Sequence, residues 1–538
     1  MPFKPLQSGH ILRLVRAARI LARHDALFAL EDMPAPPVSL RIALALARLR
    51  APWEREPEVG TANDLPDRDL PDRPGQRLAA ALQSLGPSYI KLGQMLATRP
   101  DIVSEEMARD LMQLQDRLPP FEMSVARAEV ARDLGAEVES FFSEFGPPIA
   151  AASIAQVHKA QTLPGDTDPS RIVAVKILRP GIATAFARDL ESFFWLARMI
   201  DRTQPYFRRL RPVEVVQILA DSVALEMDLR YEAAAASELA ENMAGDREFR
   251  VPQVDWRRTG AQVLTIEWVD GIPIGNQDAL RAAGHDLGAL SAAMIRIFLK
   301  QAMRDGFFHA DMHQGNLFVD SDGRIVAVDF GIMGRLDTRN RRYLAEILYG
   351  FIRRDYRRVA EVHFEAGFVS RDKSVDAFAQ ALRSVGEPIF GLRAGEISIG
   401  RLLAQLFRVT ETFAMKTQPQ LLLLQKTMVV VEGVARSLDP DVDFWAVSEP
   451  VIKQWMVNNL GPEARLAEAA EGAAALARAL PNLPHWIERA EQAAEANHAV
   501  VRDISRGGEA DRPRHRLGGW LGWAIAAIAV FFLLLQSH

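Results

Sequence analysis

Apolar residues recur along the chain with two different periods, and the switches between them mark its organisation. From Arg77 onward, Leu78, Leu82, Leu85, Tyr89, Leu92 and Leu96 return at three- and four-residue steps, which gives one apolar helical face. Gly86-Pro87 interrupts the run, so the pattern predicts two helices with Pro87 in the first turn of the second. Ser88, Lys91, Gln94 and Thr98 form a polar stripe flanked by apolar residues on both sides, a placement that points the stripe at a wet cavity. Pro100 ends this helix, and Ser104 is placed to cap the next, with Glu105 and Glu106 favourable at its positive end.

The period then shortens. Residues 149–160 read as strand, tight loop, strand, and Arg171 to Ile177 alternates into a further strand, with Pro164-Gly165-Asp166 in the connection. Residues 179–245 return to the helical period and carry Glu226, Asp228 and Glu232. Their offsets of two and six residues do not share a helical face, so a break is predicted near Asp228. Val263 to Gly271 is a strand running into a turn. Leu317-Phe318-Val319 and Ile325-Val326-Ala327-Val328 form an apolar hairpin turned by Asp320-Ser321-Asp322-Gly323. From about 280 to 500 the chain is mostly helical, with an apolar helix over 421–434 and an alanine-rich one over 467–480.

The ends differ. Ile11 to Leu30, studded with Arg13, Arg16, Arg19 and Arg23, predicts a basic amphipathic helix, either packed on the fold or lying on a membrane surface. Residues 50–75 are rich in Pro and Asp and predict a linker. Leu517 to Leu535 carries no charge and is near the minimum for a bilayer span, roughly 17–25 residues. Trp520 and Trp523 sit near one edge of it, and Arg512, Arg514 and Arg516 precede it. The expectation is a single-pass C-terminal transmembrane helix in the cell inner membrane, with the catalytic part cytoplasmic.

Composition narrows the function. A chain of 538 residues, 49% hydrophobic, can bury a large core and form more than one domain. A formal charge of −5 argues against nucleic acid as a partner. With no cysteine, disulfides, thiolate metal sites and a Cys nucleophile are excluded. No HExxH zinc pattern is present, and no G-x-G-x-x-G dinucleotide site follows a strand.

The chemistry concentrates in Phe308-His309-Ala310-Asp311-Met312-His313-Gln314-Gly315-Asn316 and Val328-Asp329-Phe330-Gly331. An acid, four residues and an amide, then a hairpin delivering Asp-Phe-Gly, is the pattern of a kinase catalytic centre. Asn316 and Asp329 are the candidate Mg²⁺ ligands, both hard oxygen donors. Asp311 is the candidate for orienting the attacking hydroxyl or water, with His309 as its motif partner. Val173-Ala174-Val175-Lys176 matches the strand whose lysine meets the α- and β-phosphates of ATP, and Glu232 is the candidate partner of Lys176. Glu267 and Val269 fall where such a fold joins its lobes and its backbone hydrogen-bonds adenine.

These residues resemble the UbiB family of atypical, kinase-like proteins of ubiquinone biosynthesis over roughly residues 75–440. The resemblance rests on Lys91-Leu92-Gly93-Gln94, on the alanine-rich loop Ala150-Ala151-Ala152-Ser153 in place of a glycine-rich one, and on Glu226-Met227-Asp228 followed by Glu232. It implies a membrane-associated ATPase using ATP and Mg²⁺, in which the Lys91 helix (Lys91, Gly93, Gln94, with Glu226 and Asp228) folds over the site and blocks protein substrates. It implies membrane lipids, quinone precursors or quinone-biosynthesis enzymes as partners, with a homodimer left open, and an indirect contribution to polyprenylphenol hydroxylation. Bacterial relatives often carry two C-terminal membrane helices, and here there is room for one.

The expected fold is therefore α+β: a bilobal protein-kinase-like fold with an N-terminal helical extension and a C-terminal transmembrane helix. The expected divisions are 1–75 (helix and linker), 76–145 (helical extension), 146–270 (N-lobe with a helical insertion), 271–500 (helical C-lobe), 501–516 (basic linker) and 517–535 (anchor). The competing functions are a conventional protein or small-molecule kinase, a quinone-pathway hydroxylase and a nucleotide-binding pseudokinase scaffold. Ala310, where such kinases commonly carry Arg, and the lack of an Ala-Pro-Glu element in the segment after Gly331 oppose the protein kinase.

Overall fold

A computed structural model describes residues 8–26, 73–97, 103, 105–111, 114, 118–164, 169–203, 211–387, 409, 412–413 and 419–460. The chain divides into two compact units, Met1–Val451 and Ile452–His538, and the candidate site lies wholly in the first.

Helix α1 (Ser8–Arg23) leads into α2 (Pro74–Leu85) and α3 (Pro87–Ala97) across the undescribed stretch. A proline opens each of the latter two, where the missing N–H costs nothing. Between them Gly86 adopts φ +103°, a conformation that a side chain would strain. Asp25 reaches Arg77 at 3.4 Å and His24 hydrogen-bonds Ser84 at 3.3 Å, so α1 is fastened to α2. The basic N-terminal helix thus packs on the fold.

After α4 (Glu105–Leu111) and α5 (Met123–Leu134) come the strands β1 (Phe142–Ala151), β2 (Ala155–Thr162) and β3 (Ile172–Leu178). With β5 (Val263–Glu267) they form an antiparallel sheet in the order β1-β2-β3-β5. Alternation along β3 explains its two faces. Val173, Val175 and Ile177 are buried with Ala126 and Val130 of α5, while Lys176 points the other way.

A helical insertion follows: α6 (Ile182–Thr203), α7 (Pro212–Glu226) and α8 (Leu229–Asn242). Phe186, Phe193, Leu219 and Leu229 pack with Leu178 and Leu264 in one cluster, against which Tyr89, Leu92 and Met95 of α3 rest. The Tyr89 and Phe193 rings meet edge-on at 5.0 Å. The apolar face of α3 is thus buried on the insertion. The predicted break is at Asp228, whose carboxylate accepts from the Arg230 N–H at 3.1 Å and caps α8.

The second lobe is mainly helical around two small sheets. Strand β4 (Phe249–Arg250) and β6 (Gly271–Pro273) flank the predicted hairpin, β8 (Leu317–Asp320) and β9 (Ile325–Ala327), in the order β4-β9-β8-β6. Gly323 turns this hairpin at φ +79°. Strand β7 (Phe307–His309) pairs with β10 (Met333–Arg335). The helices include α9 (Gln277–Ala282), α10 (Leu287–Leu299), α11 (Thr338–Ile352), α12 (Tyr356–Glu365), α13 (Val375–Gly386) and α14 (Pro419–Leu438).

The expected transmembrane helix is corrected. Among the described residues no helix is long and apolar enough to cross a membrane. The long described helices carry several charges, such as Arg188, Asp189 and Glu191 in α6 and Lys426, Glu432 and Arg436 in α14, which are costly within a bilayer. The 517–535 segment, the linker over 50–72 and the alanine-rich 467–480 stretch lie outside the described residues, as does Ser104. The single-pass inner-membrane placement therefore drops out of the account.

Candidate active site

Three elements meet at Lys176. Strand β3, held between β2 and β5, turns its ammonium toward α8, where Glu232 sits in the first turn. Lys176 Nζ donates to Glu232 Oε1 at 2.8 Å and Oε2 at 2.9 Å, and lies 3.4 Å from Asp329 Oδ2. Glu232 Oε1 also accepts from the Phe330 N–H at 3.4 Å, tying α8 to the Asp-Phe-Gly segment. Burial alone depresses the Lys176 pKa, but the Asp329 and Glu232 carboxylates outweigh it and hold the ammonium above the ordinary lysine value. Burial raises the Glu232 pKa, with the Lys176 charge opposing. Loss of solvation in the cleft pushes Asp329 up, yet Lys176 and the Gly331 N–H hold it well below the usual carboxylate range.

The catalytic-loop segment is built by its own backbone. A π-helical turn, Lys300–Asp305, precedes β7 and aims Gln301 Oε1 at the His309 N–H, 3.0 Å away. The Ala310 N–H donates to Ile332 O at 3.0 Å, and the Asp311 N–H donates to His309 Nδ1 at 3.1 Å. Because Nδ1 accepts, the neutral ring carries its proton on Nε2. Burial lowers the His309 pKa against the pull of Asp329 and Asp311, which keeps the ring neutral. Asn316 Nδ2 donates to Asp311 O at 3.2 Å, which commits the amide nitrogen and leaves the amide oxygen for a cation. The hairpin register pairs Leu317 with Ala327, and the Val328 N–H donates to Asn316 O at 3.1 Å. This register sets Val328, the residue before Asp329, against Asn316.

This donor set fits Mg²⁺. Among the described residues no group of three or more His, Asp or Glu side chains could cage a metal. Mg²⁺ instead uses one or two side-chain oxygens and completes its octahedron with phosphates and water. Asn316 and Asp329, the latter 45% exposed, carry side-chain oxygens of that kind.

The other predicted residues divide. Ala150 and Ala151 end β1, and Ala152 and Ser153 make the tight turn into β2, with the Ala152 N–H donating to Ala155 O at 2.8 Å. Lys91 of α3 and Glu226 of α7 form an ion pair at 2.7 Å, both side chains largely buried. Gly93 is a packing position: a Cβ there would come within 2.4 Å of Leu114 and 2.7 Å of Leu82. Gln94 is half-buried on the same helix. Asp228 is not brought to the cleft, being used by Arg230, with which it pairs at 2.6 Å. The Glu267 carboxylate is taken by Arg250 at 2.8 Å, so only its backbone faces the lobe junction. Among the described residues nothing accepts a hydrogen bond from the Val269 N–H, which leaves it for a ligand.

Two residues escaped the sequence reading. Arg179, just past β3, donates from Nε and Nη2 to Ala152 O at 3.1 and 2.9 Å and from Nη2 to Pro119 O at 2.7 Å, which pins the alanine-rich turn. Lys426 of α14 lies 3.4 Å from Asp311 Oδ1. Its only sequence signal is a charge inside the apolar run from Leu421 to Val434.

Comparison with known proteins gives the following matches. A family model described as the ABC1 atypical kinase-like domain covers residues 113–363, and one described as the UbiB helical domain covers residues 382–443. A curated relative from Marinobacter nauticus, named probable protein kinase UbiB, is 39% identical over 504 residues, 92% of this chain and 86% of that protein. A solved structure, the complex of Rv3197 with erythromycin from Mycobacterium tuberculosis, is 26% identical with a TM-score of 0.48, over 70% of this chain and 95% of that one.

Proposed function

Because the chain belongs to the UbiB/ABC1 family of atypical kinase-like proteins, we propose that it is a Mg²⁺-dependent ATPase of kinase-like chemistry that supports ubiquinone biosynthesis. The observation that carries this is the convergence of Lys176, Glu232 and Asp329, with Asp311 and Asn316 on the adjoining loop. Bound Mg·ATP supplies an electrophilic terminal phosphorus and the divalent charge that offsets its oxygens.

The chain supplies the rest. Lys176, held fully charged between two carboxylates, meets the inner phosphates, and the Val269 N–H with the Glu267 backbone meets adenine. Asn316 and Asp329 hold the cation. Asp311 accepts a hydrogen bond from the attacking water and directs its oxygen at phosphorus. The new P–O bond forms as the bond to the bridging oxygen breaks, the electron pair leaves on ADP, and the water proton passes to solvent or to the phosphate released. Such fixed charges need no rearrangement at the moment of reaction.

Two features favour water over a polypeptide as acceptor. Ala310, buried with its N–H on Ile332 O, offers no cation to read a phosphorylated loop. From Gly331 the chain passes through the short β10 directly into α11 at Thr338, which leaves little platform for a peptide. The Lys91–Glu226 ion pair ties α3 to the insertion as a fixed cover rather than a loose one. The supporting test is genetic. Replacing the chromosomal copy with Asp329→Asn is expected to deplete ubiquinone, and normal quinone content in that strain would overturn the proposal.

A further inference from the structure

We propose that Lys426 is a catalytic residue that grips the terminal phosphoryl group, an inference that rests on the ATPase reading above. Its helix is built to hold it there. The Thr427 hydroxyl, whose nearest acceptor is Leu423 O of its own helix at 2.8 Å, lies 3.2 Å from Ala310 O, and Gln314 Nε2 donates to Ser437 Oγ at 2.8 Å, so α14 lies against the loop on both sides of Asp311. Gln277 Nε2 also donates to Ser437 O. Lys426 therefore stands one residue from the point where α14 meets the catalytic-loop backbone.

The ammonium itself is not saturated. It carries three protons. Among the described residues its hydrogen-bond partner is Asp311 Oδ1, at a long 3.4 Å, and the two side chains are 26% and 27% exposed. The other oxygen of Asp311 lies 3.6 Å from His313 Nε2. Lys176, by contrast, is committed to Glu232 and Asp329.

Distance then decides the role. A nucleophile held by Asp311 lies about 2.6–3.2 Å from its carboxylate. Phosphorus lies about 3–3.5 Å beyond that in a near-attack geometry. An ammonium 3.4 Å from the same carboxylate, on a flexible four-carbon stem, reaches the phosphoryl oxygens without leaving its helix. Lys426 thus comes from the region matching the UbiB helical domain, and that region completes the phosphate site rather than only covering it.

The alternative is that Lys426 serves only as the counterion of Asp311. Removing the Asp311 charge separates the two. We would measure Mg·ATP and Mg·ADP binding by calorimetry to full-length Asp311→Asn and to Asp311→Asn/Lys426→Met. The expected result is ATP binding weaker by about tenfold or more in the double variant, the loss of one charge-assisted hydrogen bond, with ADP binding changed by less than about twofold. Lys426→Arg in the same background is expected to restore most of the ATP affinity. Unchanged ATP affinity, or equal losses for ATP and ADP, would overturn the role of Lys426 while leaving the ATPase reading standing. No binding of ATP by Asp311→Asn or the wild type would overturn both.

Discussion

Glu232→Gln removes one charge from the centre of the site without changing its volume, and its cost follows from the geometry. Glu232 is 8% exposed and Lys176 19%, with oxygen and nitrogen 2.8 Å apart. At an effective dielectric of about 20 their attraction is about 6 kcal/mol. Desolvating the two ions costs several kcal/mol each, so the intact pair is close to neutral for stability. Breaking it is another matter, because the Lys176 charge then stays in the cleft with Asp329 alone, 3.4 Å away and half exposed. We expect a loss of about 3 kcal/mol, the low end for a broken buried pair. The ammonium also shifts toward Asp329 and competes with the cation, so ATP turnover falls by about tenfold or more. Hydrogen exchange of β3 and α8 amides reads the local opening free energy, and phosphate release reads the rate. In Lys176→Met/Glu232→Leu the opening free energy should recover to within about 1 kcal/mol of wild type while turnover stays lost, since well-packed apolar residues can replace a buried pair. A Glu232→Gln protein with opening free energy within about 0.5 kcal/mol of wild type and full turnover would refute this reasoning.

Other outcomes follow from single contacts. Arg179→Ala releases the Ala152 and Pro119 carbonyls, so amides of the 150–153 turn should exchange about tenfold faster or more, with a raised KM for ATP. Gly93→Ala forces Leu82 and Leu114 apart and should cost about 1–3 kcal/mol by thermal or urea unfolding. Gly433→Ala in α14, where a Cβ meets nothing within 4 Å, should stabilise by up to about 1 kcal/mol. His363 is buried with Nδ1 on Val359 O at 2.7 Å, and burial lowers its pKa from 6.5 to about 4. The unfolded chain then binds the extra proton first, so stability is complete above about pH 6.5 and declines as the pH falls toward 4, by about 2 kcal/mol at pH 5. Unfolding of His363→Gln measured across that window should lose this part of the acid slope.

Local sequence carried much of this architecture. Gly86-Pro87 split two helices because Pro is costly inside a helix but suits its first turn, and Gly tolerates the turn's positive φ. The 2- and 6-residue offsets of Glu226, Asp228 and Glu232 required a break, and Asp228 supplies both the break and the cap. Along β3 a two-residue period sent Val175 to the core and Lys176 to the cleft. What stayed illegible were side-chain partners chosen by tertiary packing. Lys426 meets Asp311 across 115 residues, and nothing in either segment names the other. Glu267 was expected to offer its backbone, and nothing in the sequence showed that its carboxylate would be taken by Arg250 of β4, a strand of the other four-stranded sheet. Asp228 is likewise satisfied by its own helix rather than by the site.

The central claim is that Asn316 and Asp329 hold a divalent cation on ATP while Asp311 directs the attack. The direct measurement is phosphate release from ATP by the full-length protein, titrated with Mg²⁺, for wild type and Asp329→Asn. The account predicts turnover that rises from zero with Mg²⁺ in the wild type and falls by about a hundredfold or more in Asp329→Asn. Turnover that needs no Mg²⁺, or an Asp329→Asn protein as active as wild type, would contradict it.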